Sequence, residues 1–251
     1  MKPEVDVLIE PVTVRFSLWE GTPIYHFAGD PETQLDGMEK RMGVDPEETE
    51  MLEMNLGFLP ISNTTLIRGE KNIIVDPGNF HVGFYGLVED SLDGMGMTPE
   101  DIDIVLVTHS HFDHMASTHL FPDSKLIIGD GELEFARDLF WPEFIDAITT
   151  DRLEEVEYIE EGSGMTEICE GVSVFPTPGH TPASISALVE TENEDVAIIG
   201  DVAMTEDEFR TRELSHWYTD EQVELIYASM DRIQELDPSV IIPGHDYKFR
   251  P

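Results

Sequence analysis

Residues 108–114, with the sequence THSHFDH, contain four side chains that can bind a metal within six positions. They directly follow the apolar run 104–107, which is typical of a buried strand. In extended backbone, residues two apart point to the same side, so His109, His111 and Asp113 are predicted to face one way. The histidine after Asp113 joins them where the chain turns into a helix. The fold must therefore hold a buried strand that ends at a polar, metal-competent site.

Three further apolar runs end in the same kind of residue. They are residues 172–175 before His180, residues 196–199 before Asp201, and residues 240–242 before His245. A glycine precedes each of these residues, and it lets the backbone approach a crowded centre without a Cβ clash. Loops at strand ends are held by a rigid scaffold, which is the usual place for chemistry. The other four of the nine histidines are predicted to be surface or locally bonded residues: His26, His81, His119 and His216.

The donor types indicate the kind of site. Imidazole and carboxylate without thiolate favour a catalytic site for Zn, Fe or Mn over a structural zinc site, which is usually rich in cysteine. Seven donors are too many for one tetrahedral ion and suit two ions that share a carboxylate. The sequence therefore predicts two divalent metal ions, Zn first, with Fe or Mn as alternatives. The predicted ligands are His109, His111 and His180 for one ion, Asp113, His114 and His245 for the other, and Asp201 as the bridge.

The remaining patterns mix strands with helices. Residues 62–69 and 71–78 predict a hairpin that turns at Gly69 and Glu70, and residues 82–95 predict a helix. Thr219 and Gln222 have the spacing of a capping box before a helix with one apolar face, which Pro238 stops. Further strands are predicted at 125–128 and 185–189. Together these patterns predict an α/β sandwich in which helices cover two sheets, as a single domain over residues 1–251.

Two segments are candidates for the walls of a pocket. Residues 1–23 alternate weakly and predict strands, whereas residues 24–60 are acidic, rich in methionine and aromatic. Residues 24–60 are interpreted as a helical insertion over the core, with a pocket lid as the alternative. Residues 131–165 contain apolar side chains that fit either an acyl pocket or plain helix packing: Phe135, Leu139, Phe140, Trp141 and Phe144.

The charge balance restricts the partners. The chain has 53 Asp and Glu residues against 14 Lys and Arg residues, a formal net charge of −39. Such a surface should repel nucleic acid, whose affinity comes from basic residues that neutralise phosphates. Self-repulsion should also destabilise the compact state unless salt screens it. The composition favours a protein of a high-salt cytoplasm over one that is merely acidic.

Cysteine content and hydropathy indicate where in the cell the protein is expected to be. The one cysteine, Cys169, cannot form an internal disulfide and is predicted to be a small core residue, which fits a reducing compartment. No apolar run approaches the ~20 residues of a membrane helix. The N-terminal segment lacks the regions of a signal peptide. The prediction is a soluble, cytoplasmic protein that uses a small-molecule substrate; the oligomeric state stays open, with a homodimer as one option.

The ordered motifs resemble the metallo-β-lactamase superfamily. THSHFDH is similar to its HxHxDH motif, and it is followed by GH at 179–180, GD at 200–201 and GH at 244–245. The resemblance covers roughly residues 61–251. It implies a four-layer αββα sandwich with the metals at one edge of the two sheets, and it matches the seven predicted ligands one by one.

Departures from the motifs narrow the group within the superfamily. His111 stands where the diiron flavoproteins have a glutamate, and Asp201 stands where the antibiotic-cleaving enzymes lack a bridging carboxylate. The resemblance therefore favours the group of glyoxalase II and the quorum-signal lactonases. Those lactonases carry a tyrosine three residues after the bridging aspartate, where this chain has Met204. Tyr218 or Tyr247 is the substitute hydrogen-bond donor, with core packing as the alternative role of each.

The function predicted from these residues is metal-dependent hydrolysis of an ester-type carbonyl in a lactone or thioester. The dinuclear site activates a hydroxide, with Asp113 as proton acceptor and Asp201 as bridge. One alternative is a phosphodiesterase or nuclease that uses the same two metals, although only 14 basic residues argue against it. Another is a mononuclear iron persulfide dioxygenase, and the last is a member of the fold without catalytic activity.

Overall fold

The computed structural model describes residues 2–10, 13–19, 22–27, 59–60, 62–78, 87–150 and 155–251. The strands in these ranges are β1 Glu4–Ile9, β2 Thr13–Trp19, β3 Thr22–Phe27, β4 Leu59–Pro60, β5 Thr64–Arg68, β6 Asn72–Val75, β7 Ile104–Leu106, β8 Lys125–Gly129, β9 Glu155–Ile159, β10 Thr166–Cys169, β11 Val172–Pro176, β12 Ile185–Glu190, β13 Asp195–Gly200 and β14 Val240–Pro243. The α-helices are α1 Leu87–Gly94, α2 Phe112–Met115, α3 Glu132–Leu139, α4 Pro142–Ile148, α5 Glu206–Thr211 and α6 Asp220–Glu235. Short 3-10 turns lie at Pro99–Asp101 and Thr118–Leu120.

Two large sheets form the centre of the fold. The first has the strand order β1-β5-β6-β7-β8-β9, and β6 to β9 run parallel. The second has the order β10-β11-β12-β13-β14, antiparallel except for the parallel pair β13 and β14. Parallel strands bring their carboxyl ends to the same edge of a sheet. At that edge the N–H of Ile185 donates to the carbonyl of Thr108, which joins the two sheets.

The apolar residues pack in three layers. Ile73 and Val75 face the second sheet, while Ile74 between them faces the helices on the outer side of the first sheet. This alternation follows from the period of two in a strand. Helices α1, α3 and α4 cover the first sheet, and α5 and α6 cover the second. The layers are therefore helix, sheet, sheet and helix, and the predicted αββα sandwich is confirmed.

Most predicted elements occur close to their predicted bounds. The predicted hairpin is present as β5–β6, but Ile67 pairs with Ile73, so the turn spans residues 69–71 and is one residue longer than predicted. Helix α6 begins after Thr219, whose side chain and that of Gln222 form the predicted capping box. The strand predicted at 104–107 ends one residue earlier, at Leu106.

The structure describes only part of the N-terminal segment, residues 1–60, for which strands and a helical insertion were predicted. The strands expected in residues 1–23 are present as β1, β2 and the start of β3. Residues 24–27 continue β3, so the helical interpretation of the segment 24–60 is wrong for its first residues. Strand β4 ends the segment and pairs with β2. Residues 28–58, on which the lid alternative depends, lie outside the described residues.

Candidate metal centre

The carboxyl ends of the central strands deliver all seven predicted donors to one place. The structure brings them together in two groups, and the donor atoms within each group lie within 4.8 Å of one another. The first donor group is His109, His111, His180 and Asp201. The second donor group is Asp113, His114 and His245. Strand β7 precedes the residues from 109 to 114, whereas β11, β13 and β14 precede His180, Asp201 and His245.

Three imidazole nitrogens converge in the first donor group. His109 Nε2 lies 3.1 Å from His111 Nδ1, and His180 Nε2 lies 3.0 Å from the same atom. The carboxylate of Asp201 closes the group, because its Oδ2 atom is 3.2 Å from His180 Nε2 and 3.9 Å from His109 Nε2. This is a cluster of nitrogen and oxygen donors directed at one point.

The second donor group lies on the other side of Asp201. Asp113 Oδ2 is 3.3 Å from His245 Nε2 and 3.7 Å from His114 Nε2. Asp201 Oδ1 is 3.3 Å from His114 Nε2, and Asp201 Oδ2 is 3.3 Å from His245 Nε2. The carboxylate of Asp201 therefore stands between the two groups and is close to both.

Three histidines of the two donor groups direct Nε2 at the centre and make a hydrogen bond through Nδ1 to a side chain outside the groups. His114 Nδ1 is 2.9 Å from Asp76 Oδ2, and His180 Nδ1 is 2.6 Å from the hydroxyl of Tyr218. His109 Nδ1 is 3.2 Å from the hydroxyl of Thr108. Such partners fix the tautomer and the orientation of a metal-binding histidine.

Asp76 was missed by the sequence reasoning. It lies directly after β6 with a positive φ of 50°, and it is buried. Its Oδ1 accepts the N–H of Thr108 at 2.7 Å, and its Oδ2 accepts the Thr108 hydroxyl at 2.7 Å in addition to facing His114. The available signal was its position, since Asp76 ends an apolar strand as Asp201 does.

Two of the glycines before ligands are required by crowding. A Cβ at Gly244 would lie 1.9 Å from Asp201 Oδ1, in the middle of the site. Gly200 has a φ of +49°, and a Cβ there would lie 2.4 Å from the hydroxyl oxygen of Thr108. The predicted reason for glycine at these positions, a close approach without a Cβ, agrees with this geometry.

The loop that carries His245 is tied to the start of β5. The side-chain amide of Asn63 donates to the carbonyls of Pro243 at 2.6 Å and Asp246 at 2.8 Å. The backbone N–H of Asn63 donates to the carbonyl of Gly244 at 2.8 Å. These three bonds fix the backbone on both sides of His245.

The imidazoles of the first donor group favour the neutral form. Burial, together with the neighbouring histidines, lowers the pKa of His109 well below its ordinary value and lowers that of His180 to about 4. Burial also lowers the pKa of His111. Neutral imidazole is the form that binds a metal, so these three rings are available as ligands at neutral pH.

Carboxylates set the protonation of the second donor group. Burial disfavours the charged form of His114, but Asp201, Asp76 and Asp113 outweigh it and raise the pKa of His114 well above its usual value. The pKa of His245 is raised in the same way, against burial, by Asp201 and Asp113. Burial favours the neutral form of Asp201, yet the neighbouring histidines hold the pKa of that carboxyl well below its usual value. The carboxylates therefore favour positive charge at this point, either as protons on His114 and His245 or as a bound cation in their place.

The residues present fit divalent cations. His114 Nε2 and Asp201 Oδ1 are buried, and among the described residues neither finds a hydrogen-bond partner. Both atoms point into the centre, 3.3 Å apart. Buried polar atoms without a partner are costly, and coordination of a cation satisfies them. The donor set of imidazoles and carboxylates also suits divalent metals of this kind.

The two tyrosines considered as substitute donors have different positions. The Tyr218 hydroxyl lies 2.6 Å from His180 Nδ1, so Tyr218 orients this imidazole, and its ring packs against the apolar cluster that includes residues of α6. Tyr247 is 57 % exposed, so core packing is the wrong prediction for it. Met204 acts through its main chain: its carbonyl accepts the N–H of His245 at 2.9 Å, and its N–H donates to Glu208 at 2.8 Å.

The apolar residues of the segment after β8 differ in their surroundings. The ring of Phe140 packs at 3.9 Å from that of Phe112, which follows His111. The ring of Phe135 lies 6.2 Å from that of His111. Leu139 and Trp141 are 51 % and 73 % exposed, so plain helix packing does not explain these two residues.

The structure places several of the residues for which no catalytic role was predicted. His119 bonds locally, with Nδ1 3.1 Å from the carbonyl of Ala116, and His216 is exposed. His81 lies outside the described residues. Cys169 is free and packs at the border of the core between the sheets, and burial raises the pKa of its thiol. None of the helices in the described part of the chain combines the length and apolar character that crossing a membrane requires.

Comparison with known proteins agrees with this geometry. The family profile described as the metallo-beta-lactamase superfamily matches residues 58–245. The chain is 32 % identical to the protein named "Probable metallo-hydrolase" of Methanocaldococcus jannaschii, over 56 % of this chain and 68 % of that protein. It is 28 % identical to the N-acyl homoserine lactonase of Bacillus cereus over 62 % of this chain, and it spans 60 % of the length of that lactonase.

A solved structure gives the same fold. It is an N-acyl homoserine lactone hydrolase with the product N-hexanoyl-L-homoserine bound at the catalytic metal centre. The TM-score is 0.63 at 22 % identity, with 98 % of this chain and 94 % of that chain covered. From the matched profile, the relatives and the clustered donors, the chain belongs to the metallo-beta-lactamase superfamily and is a metal-dependent hydrolase.

Proposed function

We propose that the protein hydrolyses an ester-type carbonyl at a dinuclear metal site, with a lactone as the first candidate substrate and a thioester as the second. The observation that carries the proposal is the position of Asp201, whose carboxylate stands 3.2 to 3.3 Å from nitrogens of both donor groups. Relatives named as N-acyl homoserine lactonases support the choice of a lactone.

The proposed ligands follow from the two groups. His109, His111 and His180 would hold one cation, and Asp113, His114 and His245 would hold the other. Asp201 would be shared by both. Zn is the first choice, since three imidazoles with a carboxylate form a usual environment of catalytic zinc. When bound, the two cations lower the pKa of water towards ~7 and polarise the carbonyl oxygen.

Asp113 is the proposed proton acceptor. Its side chain is 13 % exposed, more than the 4 % of Asp201, so it borders the space that a substrate enters. The Asp113 carboxylate takes the proton of the attacking water and passes it to the leaving oxygen or sulfur. His245 Nε2 lies 3.3 Å from Asp113 Oδ2, so the two donors face the same cation position.

An apolar surface beside the first donor group suits an acyl chain. The ring of Phe135 lies 6.2 Å from that of His111, and the rings of Phe112 and Phe140 pack against each other at a tilted angle. Burial of such a chain against these rings would gain roughly 25 cal/mol for each Å² of apolar surface removed from water. The acidic surface, with 53 acidic against 14 basic residues, argues against a polyanionic substrate.

Metal analysis together with a three-substrate assay tests this function. Purified protein in molar KCl is analysed for Zn, Fe and Mn, and then assayed with an N-acyl homoserine lactone, a glutathione thioester and bis(p-nitrophenyl) phosphate. We expect two metal ions per chain and fastest turnover of the lactone. Faster cleavage of the phosphodiester would contradict the proposal, as would a single iron per chain with no turnover of the lactone or the thioester.

A further inference from the structure

The carboxylate of Glu132 joins two segments that carry ligands of the first donor group. Glu132 is fully buried. Its Oε2 atom accepts the backbone N–H of Ser110 at 2.9 Å and the Ser110 hydroxyl at 2.8 Å. Its Oε1 atom accepts the backbone N–H of Ala183 at 2.8 Å. One side chain therefore binds two segments that are far apart in the sequence.

Both partners of Glu132 are close to ligands. Ser110 lies between His109 and His111, and Ala183 follows His180 by three residues. The three imidazoles of the first donor group are thus set by two loops, and Glu132 fixes the distance between these loops. The chain packs tightly here as well, since a Cβ at position 129 would lie 1.7 Å from the Ala183 carbonyl oxygen.

The environment of Glu132 requires a carboxylate. A buried charge is costly unless hydrogen bonds satisfy it, and here three donors surround two acceptor oxygens. A glutamine in the same place would turn an NH₂ group towards either Ala183 or Ser110 and set donor against donor. Packing alone would not select an acid, because neighbours of Glu132 on α3, such as Leu133 and Ala136, fill the core with apolar groups.

We propose that Glu132 is a positioning residue that sets the metal affinity of the first donor group by clamping the loop of His109 and His111 to the loop of His180. The inference rests on the proposed metal site and extends it to a residue that touches neither metal nor substrate. Loss of an outer hydrogen-bond partner of a metal site commonly costs about 10- to 100-fold in affinity. The clamp should therefore act on one of the two metal-binding steps.

Zinc titration of Glu132→Gln tests the clamp. Metal-free full-length protein is titrated with Zn²⁺ against a chromophoric chelator, and the melting temperature of the metal-free form is measured in parallel. We expect one binding step to weaken by about 10- to 100-fold while the other stays within about twofold. His180→Ala, which removes a ligand of the first donor group, identifies the step that should change.

Two further variants keep the test decisive. Glu134→Gln makes the same chemical change at an exposed position of α3, and it should bind both zinc ions as the wild type does. Ser110→Ala removes only one of the three hydrogen bonds, so it should weaken the same step by less than Glu132→Gln does. If Glu132→Gln does not fold, the zinc affinity of Ser110→Ala at this step decides whether the clamp exists.

The outcomes separate the clamp from the proposed function. Two normal zinc steps in Glu132→Gln and Ser110→Ala would overturn the clamp alone, as would an equal loss in both steps. A lower melting temperature with unchanged zinc affinity would show that Glu132 is only structural, and it too would overturn the clamp. Absence of zinc binding in the unsubstituted protein would instead contradict the proposed function and the clamp with it.

Discussion

Oδ2 of Asp76 lies 2.9 Å from Nδ1 of His114, and both side chains are buried. A carboxylate accepts a hydrogen bond, so it places the proton of His114 on Nδ1 and leaves Nε2 directed at the centre. The same carboxylate accepts two hydrogen bonds from Thr108, the residue before His109. Asp76 therefore orients the second donor group and the start of the first.

Asp76→Asn is expected to weaken metal binding and turnover together. The amide can no longer hold His114 by a charge-assisted bond, and one of its two ends presents N–H groups to donors. We expect the affinity of one metal step and kcat/KM each to fall by about 10- to 100-fold. Chelator competition and lactone hydrolysis measure the two quantities.

Asp103→Asn is the matched control for Asp76→Asn. Asp103 also accepts hydrogen bonds in the first sheet, from the Asn72 N–H at 2.9 Å and from Lys71 at 2.9 Å. However, Asp103 lies before the start of β7, whereas Asp76 lies after the end of β6. The substitution Asp103→Asn should therefore leave metal binding unchanged. Wild-type metal affinity in Asp76→Asn would show that His114 needs no carboxylate to bind.

The structure brings together the donors that sequence motifs named, such as His109 and Asp201, whereas residues that only tertiary contacts place beside the site were missed. Asp76 ends the strand of a hairpin without another donor nearby in sequence, so its role appears only when β6 and β7 pair. In the sequence, Glu132 looks like any acidic residue in the first turn of a helix. Its burial depends on the loop of Ala183, some fifty residues later, whose N–H donates to its carboxylate.

Tertiary pairing also explains the strand that sequence patterns missed. Strand β9, with the sequence EVEYI, has two acidic residues and lies at the edge of the first sheet. Its five residues pair in parallel with β8, and Lys125 on β8 binds both Glu155 and Glu157. Val156, Tyr158 and Ile159 favour a strand, but the two glutamates interrupt the apolar run, and Lys125 on the neighbouring strand pairs with both of their carboxylates.

Tyr218→Phe is expected to reduce activity modestly through His180. It removes one hydroxyl, whose oxygen lies 2.6 Å from His180 Nδ1, and leaves the ring in place. A buried hydrogen bond of this kind contributes about 1 kcal/mol, so kcat/KM should fall roughly fivefold. The control is Tyr227→Phe, which removes a hydroxyl that donates to the Arg212 carbonyl at 2.7 Å, with no expected change in kcat/KM. A loss above about a thousandfold in Tyr218→Phe would contradict a positioning role and indicate direct contact with the substrate.

Asp201→Asn is expected to abolish turnover in a folded protein. The substitution keeps the size of the side chain but removes the charge between the two donor groups, so at least one cation should bind more weakly. Activity should fall by at least about a hundredfold, and circular dichroism should stay that of the wild type. Asp195→Asn changes the exposed first residue of the same strand, β13, and should keep full activity. Retained activity in Asp201→Asn would refute its role as the bridge.

The charge imbalance predicts that salt stabilises the fold. The chain carries 53 acidic and 14 basic residues, and ion pairs such as Lys2–Glu190 and Arg250–Glu194 are exposed and contribute little. Ions screen repulsion between surface carboxylates beyond about 10 Å at 0.1 M, so the melting temperature should rise from low to molar KCl. Calorimetry in sucrose of equal osmolality controls for exclusion of solute from the protein surface. An equal rise in sucrose, or a flat profile in KCl, would show that the net charge of −39 does not govern stability.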